Sequence, residues 1–416
     1  MTLPEDHTLR VSLSEIMHDR TLPLERSPVR VRQWLIMHDE GDDAQFSRWL
    51  SCNGGNELEP SRTRLTGRAD NCAVIWERHN EFSTITAIRY GSDSRVEIAQ
   101  SPWLNNLPGR IFRSIEILVG SKSDFAWDIE AQFDKGRLVS SYVFDGAARI
   151  WSDFTIKKNG SGLILIEDLG LQNDEVARLV QSLIEIGNYR KLALLGFPVA
   201  RELMPWITEV EAEHTGVTER HNSGKAGSSE ILEQLSALSA VVEYKAGLAR
   251  FRLGATSSYH LLTTDRLRSL REVRIPGFST VAEFVERRLL PAMRTCEIAQ
   301  SRIESLSERI IRTASLLSLE QTTELNRRNQ AILASLNKRS ALQLRLQNLV
   351  EGFSVFAISY YIIAILEKMA IPAGDFVGSG RGDGLIAIVT VPTMLITWWL
   401  LKRTKHASRS TIKGSD

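Results

Sequence analysis

Glu77, His79 and Glu81 alternate along a strand-like run, so an extended backbone would put all three on one face. Two carboxylates and an imidazole at that spacing could hold a divalent cation, or let His79 work as a base oriented by a carboxylate. A turn at Asn80 would swing Glu81 away, and a charged network tying strands together is the competing reading. His18 and Arg20 could join the cluster only if the N-terminal arm packs on the sheet. A second set is Glu351, Gly352 and Ser359. Glu351 falls at the edge of a long apolar run, where a charge is costly unless it meets water, a partner or a bundle interior. It could ring the mouth of an oligomeric pore, or pair as an interfacial residue with Arg345 or Lys338. Gly352 and Ser359 lie a heptad apart, where small residues allow close helix approach and hence an oligomer contact. The arginines at 266, 268, 271, 274, 287, 288 and 294 alternate with Glu272, Glu283 and Glu286. That pattern favours a solvated, salt-bridged helix face over a phosphate or nucleic-acid site. The sequence has no Walker-type loop, GxGxxG turn, GxSxG elbow or HExxH helix. No catalytic or cofactor-binding residue is therefore assigned, and a divalent cation is the one cofactor considered.

The first of these sets needs a sheet to hold it. Short runs rich in Val, Ile, Trp and Phe at 30–38, 73–79, 82–90, 111–119, 126–133, 138–144 and 162–166 are bounded by Gly, Pro, Asn or Asp and are expected to be strands. A short helix is expected at 12–18 and another at 43–50. Residues 1–168 are thus expected to form an α+β domain with a mostly antiparallel sheet. From 173 the apolar period changes from two to 3.6. Asp174 is expected to cap a helix with Val176, Leu179, Val180, Leu183 and Gly187 on one face. Pro198 should bend or restart it, and a second helix should run to about 214. Residues 215–229 are expected to be a flexible connector within a helical domain at 173–278. Further helices are expected at 230–253 and on to 273, before a break at Ile275-Pro276-Gly277.

The second set needs a long helix and a membrane. From Val285 through Cys296 and Leu306 to Leu317, apolar residues alternate spacings of four and three, a seam of about 3.5 residues that favours helix-on-helix packing. Residues 280–350 are expected to form a stalk, either one helix of about 105 Å or two with a break near Gln321. Leu385 to Leu401 carries no charge, and neither does Gly352 to Leu366. Spans at 350–370 and 385–402 would make a transmembrane hairpin, with Tyr360, Tyr361, Trp398 and Trp399 near its ends. Basic residues before the first run and in the tail at 403–416 put both chain ends in the cytoplasm. The N-terminus lacks the apolar core of a signal peptide.

Composition narrows the function. In 416 residues, 51 Lys and Arg face 50 Asp and Glu, a net charge of +1 with no global attraction to nucleic acid. The three cysteines, Cys52, Cys72 and Cys296, form no CxxC pair, so neither a disulfide framework nor a thiolate zinc site is indicated and a reducing compartment is expected.

Several long segments carry a resemblance: Trp76-Glu77-Arg78-His79-Asn80-Glu81-Phe82-Ser83, Tyr189-Arg190, Arg287-Arg288-Leu289-Leu290-Pro291-Ala292-Met293-Arg294, and Leu342-Gln343-Leu344-Arg345-Leu346-Gln347 leading to Val350-Glu351-Gly352. Over nearly the whole chain the sequence resembles a family of uncharacterised membrane-anchored proteins, a domain of unknown function found mostly in proteobacteria. That family usually has His-x-Arg-Pro near its start, where this chain has His18, Arg20 and Thr21. It usually has Glu-Thr before the Tyr-Arg pair, where this chain has Gly187 and Asn188. The resemblance implies membrane attachment and bacterial origin, and no activity. In plan alone the chain is also similar to CorA-type magnesium channels. Their Gly-Met-Asn is absent here, where Met369-Ala370-Ile371-Pro372 stands, so conduction does not follow from the plan. The preferred expectation is a self-associating, cytosol-facing binding or scaffolding module anchored in the inner-membrane bilayer. A divalent-cation channel and a metal-dependent enzyme are the alternatives.

Overall fold

The computed structural model describes residues 22–24, 27–38, 64–69, 72–95, 97–98, 108–125 and 128–374, with His7, Trp49, Pro392, 395–396 and 398–399 as separate positions. The expected helix at 12–18, His18, Arg20, Cys52, the second apolar run, the loop before it and the basic tail lie outside these residues or nearly so. Of the helix expected at 43–50 only Trp49 is described, and it is helical. The chain divides into two compact units, Met1–Ser315 and Leu316–Asp416.

In the first unit, strands β1 (Val29–Met37), β2 (Arg64–Ala69), β3 (Cys72–Arg78), β4 (Phe82–Tyr90) and β5 (Arg110–Gly120) are followed by a short helix α1 (Ile129–Gln132) and strands β6 (Val139–Val143), β7 (Ala148–Ser152) and β8 (Gly162–Asp168). Helices α2 (Asn173–Ala193), α3 (Gly196–Asn222) and α4 (Ser228–Ser269), a two-residue strand β9 (Val273–Arg274) and helix α5 (Val281–Gly374) complete the described chain. The strand order is β2-β3-β4-β1-β5-β8-β7-β6-β9. Every pairing is antiparallel except β5 with β8. The expected α+β class with a mostly antiparallel sheet is observed.

Central strand β1 is covered on both faces. Trp34 and Ile36 pack with Trp49, Cys72, Trp76 and Ile85 on one side. Leu35 meets Phe82 and Leu192 on the other, with Tyr189 and Tyr259 beside them. A third cluster holds Leu118, Phe125, Phe133, Trp151 and Leu165. Of the expected strand at 126–133, residues 126 and 127 lie outside the described residues and Ile129–Gln132 form helix α1, which Asp128 caps by accepting from Ala131 N at 3.1 Å. The run 138–144 ends in a turn where Phe144 and Asp145 have positive φ, and β7 starts directly after it.

The helices pack along one spine. Helix α4 is 42 residues long and unbroken, where two helices were expected. Gly254 costs only about 1 kcal/mol against Ala in a helix interior, and α2 and α3 both pack against α4. They follow one another antiparallel to it, with Glu185 meeting Arg266 in the α2 half and Arg220 meeting Gln234 in the α3 half. The break between α2 and α3 falls at Leu194 and Leu195, and Pro198 sits inside the first turn of α3, where its missing N–H is tolerated. At that junction Gly196 lies against Thr256; a Cβ there would sit 2.2 Å from Thr256 Oγ1. The N-terminus of α2 is held by Glu175, which accepts from Gln172 N at 3.0 Å, while Asp174 pairs with Arg178. Of the expected flexible connector, residues 215–222 are the last turns of α3, which leaves 223–227 between helices.

The apolar seam of α5 is buried from Val285 to Leu306 and at Ile310. Its neighbours include α3 and α4: Arg302 donates to Glu211 and to Thr208, His214 meets Thr313 at 3.2 Å, and Ser307 donates to Glu243. The seam in the first unit is therefore covered within one chain. The start of α5 is pinned by Glu272, which accepts from Val281 N and Ala282 N, both at 2.8 Å, and from Ser141 Oγ on β6. No break occurs near Gln321, so α5 is one helix of 94 residues. Among the described residues it is the one helix long and apolar enough to cross a membrane, with a window of mean hydropathy 1.5.

Candidate functional site

The hairpin between β3 and β4 sends the three residues of the first set to different partners. Glu77, near the end of β3, lies 3.6 Å from Arg64 Nε and accepts from Thr84 Oγ1 at 3.4 Å. His79 is exposed and stacks on Phe82 at 4.3 Å. The chain turns at Asn80 and Glu81, and Glu81 reaches α4. Arg252 Nη2 lies 2.9 Å from its Oε1, while Arg252 Nη1 and Tyr259 Oη donate to Oε2 at 3.1 and 3.3 Å. Burial and the Glu81 charge push the Tyr259 phenol up to about 12, so it stays a donor. The three residues are not brought together, and among the described residues no three His, Cys, Asp or Glu side chains are grouped to hold a metal. The charges at Glu77 and Glu81 act instead as ties, one across the sheet and one from hairpin to helix.

In the second unit Glu351 is half-buried and Ser359 is 4% exposed. Gly352 faces open space, since a Cβ there would meet nothing within 4 Å. The basic series divides in two. Arg266 pairs with Glu185, Arg268 with Asp265, Arg271 with Asp145 and Arg274 with Glu283. Arg288 does otherwise: its Cζ lies 3.8 Å from the centre of the Phe284 ring.

A polar layer that sequence reasoning missed lies between the sheet and α2. Gln33 on β1, Thr86 on β4 and Arg113 on β5 all point toward the helix, and Asn188 meets them. Arg113 Nη1 donates to Asn188 Oδ1 at 2.7 Å, Asn188 Nδ2 donates to Gln33 Oε1 at 2.8 Å, and Gln33 Nε2 donates to Thr86 Oγ1 at 3.0 Å. All four side chains are buried. Gly187 makes room for the guanidinium: a Cβ there would fall 2.0 Å from Arg113 Nη2. The Gly187-Asn188 pair thus serves Arg113, one residue giving space and the other an acceptor. Arg113 is 7% exposed, and no carboxylate pairs with it among the described residues. Burial, with Arg190 adding to it, pushes its guanidinium down to about 9. A guanidinium keeps its proton in a folded protein, so Arg113 is a buried cation whose charge burial disfavours. Burial first and Arg288 second push Arg190 down to about 10. Burial, then Arg113 and Arg190, lower Lys191. Arg113 on β5, Arg190 in the last turn of α2 and Arg288 on α5 thus each add to the cost of a neighbouring charge.

A small cleft between α4 and α5 is lined by Thr256, His260, Cys296, Glu297 and Gln300. Burial and then Glu297 push the Cys296 thiol up to about 11, so this cysteine stays a thiol.

Residues 5–408 match a family described as a protein of unknown function, DUF3422. No curated protein matches the chain.

Proposed function

The chain belongs to the DUF3422 family, and on that premise we propose that it is a membrane-anchored, self-associating binding module. Its first unit faces the cytosol, and α5 carries the chain into the bilayer of the cytoplasmic membrane. The observation that carries this reading is the apolar surface near the C-terminal end of α5. Phe353, Phe356, Tyr360 and Tyr361 are 74%, 64%, 71% and 67% exposed, beside exposed Leu346, Leu349 and Val350. A helix surface this apolar needs lipid or protein around it. The second apolar run would return the chain across the same bilayer.

Self-association rests on the stretch of α5 before that surface. Leu325, Ile332 and Leu336 continue the seam, and all three are exposed. An isolated helix in water is marginal without a packed apolar face. A second copy of the same stretch offers a matching stripe, in register by symmetry. The full-length protein in detergent should therefore scatter light as a dimer or larger assembly. Leu325→Asp with Ile332→Asp should reduce it to a monomer without changing the melting of the first unit. A wild-type protein that scatters as a strict monomer at all concentrations would contradict self-association.

A further inference from the structure

Helix α4 has two apolar faces, and its neighbours in the first unit cover one of them. Val242, Ala249 and Leu253 are buried on the covered face, against which α2 and α3 pack. A second seam runs along the other side. Val241, Tyr244, Leu248 and Phe251 follow one another at spacings of three, four and three, and Ala255 and Ser258 carry the pattern on to Leu262. At 3.6 residues per turn this seam lies opposite Val242 and Ala249. Tyr244, Leu248 and Phe251 are 68%, 64% and 67% exposed, and Val241 and Leu262 are exposed beside them. No charged side chain stands at any seam position from 241 to 262. Single exposed apolar residues are ordinary, whereas a contiguous stripe with two aromatic rings marks a contact surface.

Gly247 and Gly254, a heptad apart, flank the seam on one side. Glycine is a poor choice for a helix interior, and among the described residues no packing calls for either one. A Cβ at either position would meet nothing within 4 Å. Both glycines leave room for a second backbone to come close. Several observations favour a second copy of this chain as the occupant. A seam free of charge offers nothing to a charged partner, while its own copy supplies a matching stripe of alternating spacing. The exposed fractions of its five large residues amount to about 600 Å² per copy, given about 150–250 Å² for each aromatic side chain. A stable dimer buries about 800 Å² on each side, so the α4 seam and the exposed stripe of α5 reach that size together. Copies held by one contact also meet at the other with a raised effective concentration.

We propose that the Val241–Leu262 face of α4 packs against the same face of a second copy, about a two-fold axis that passes Phe251 at the middle of the seam. This rests on the self-association read from α5 and extends it into the first unit: both contacts act in one dimer, and loss of either returns the chain to a monomer. Disulfide trapping in membranes that contain the full chain tests it. Cys72 and Cys296 are buried, and Cys52→Ser removes the remaining thiol. In that background Phe251→Cys should give a dimer on mild oxidation. Arg250→Cys, exposed but turned about 100° away, should give about tenfold less, because a disulfide needs its Cα atoms within about 7 Å. With Phe251 kept, Leu248→Asp should raise the dissociation constant measured by light scattering about tenfold or more. Leu248 is exposed, so this variant should melt as the wild type does, which separates lost contact from lost folding. If the wild type scatters as a dimer but Phe251→Cys is not trapped, the α4 contact is overturned and self-association through α5 stands. A strict monomer overturns both. A trapped band whose mass is not twice that of the chain means another protein covers the face, and it overturns the proposal, as does an unchanged dissociation constant in Leu248→Asp.

Discussion

Exchanging Phe356 and Ile358 together for arginine is expected to move the protein from the membrane pellet to the soluble or aggregated fraction. Both side chains are exposed on α5, so neither exchange removes buried packing within the chain. In lipid, an arginine at the centre of a helix costs about 2.5–3.5 kcal/mol on the insertion scale. Two would cost about 5–7 kcal/mol, enough to reverse insertion. On a helix that lives in water the same exchanges fall within the usual surface range of about 0.5 kcal/mol and improve solubility. The two accounts therefore predict opposite outcomes. Fractionation followed by immunodetection reads the difference. An unchanged, fully membrane-bound double variant would count against lipid contact at these positions.

Asn188→Ala is expected to be the most damaging single truncation in the polar layer, at about 3 kcal/mol or more. It removes the 2.7 Å acceptor of Arg113 and, among the described residues, leaves the guanidinium the Ile184 carbonyl at 3.4 Å. It also removes the donor to Gln33 Oε1. A buried neutral hydrogen bond contributes about 1 kcal/mol, and a buried charge deprived of its partner costs about 3–5 kcal/mol. Alanine returns at most about 0.7 kcal/mol through helix propensity, so the loss dominates. Asn188→Asp gives Arg113 a carboxylate and is expected to melt at or above the wild-type temperature. Thermal denaturation of the first unit's signal within the full chain separates the cases. An Asn188→Ala variant within about 0.5 kcal/mol of wild type would mean that the layer does not compensate Arg113 as described.

The fold was legible where one face of an element is apolar at a fixed period. The run at 82–90 became β4, with the expected bounds. The seam on α5 became its buried stripe. Periodicity names the apolar face but not what covers it, which is why the same seam pointed to oligomers while α3 and α4 cover its first part. In the described part of the strand expected at 126–133, Ile129–Gln132 turn into a helix that the Asp128 cap holds. The six residues of β2 contain Gly67 and three polar side chains, and they are held as a strand by pairing with β3 rather than by their own pattern. The Arg113–Asn188 contact was illegible for a different reason. The two residues are 75 apart in sequence, and only the stacking of α2 on three separate strands brings them together. Glu77, His79 and Glu81 looked like a site because a straight strand would align them. The turn at Asn80, already weighed as the alternative, decides against that alignment.

Photolabelling from within the bilayer tests the anchoring claim most directly. A carbene generated on a lipid acyl chain, applied to membranes that contain the full chain, should modify residues between Leu349 and Ile371 and spare the first unit. Label absent from that stretch while other membrane proteins in the sample are labelled would contradict the account.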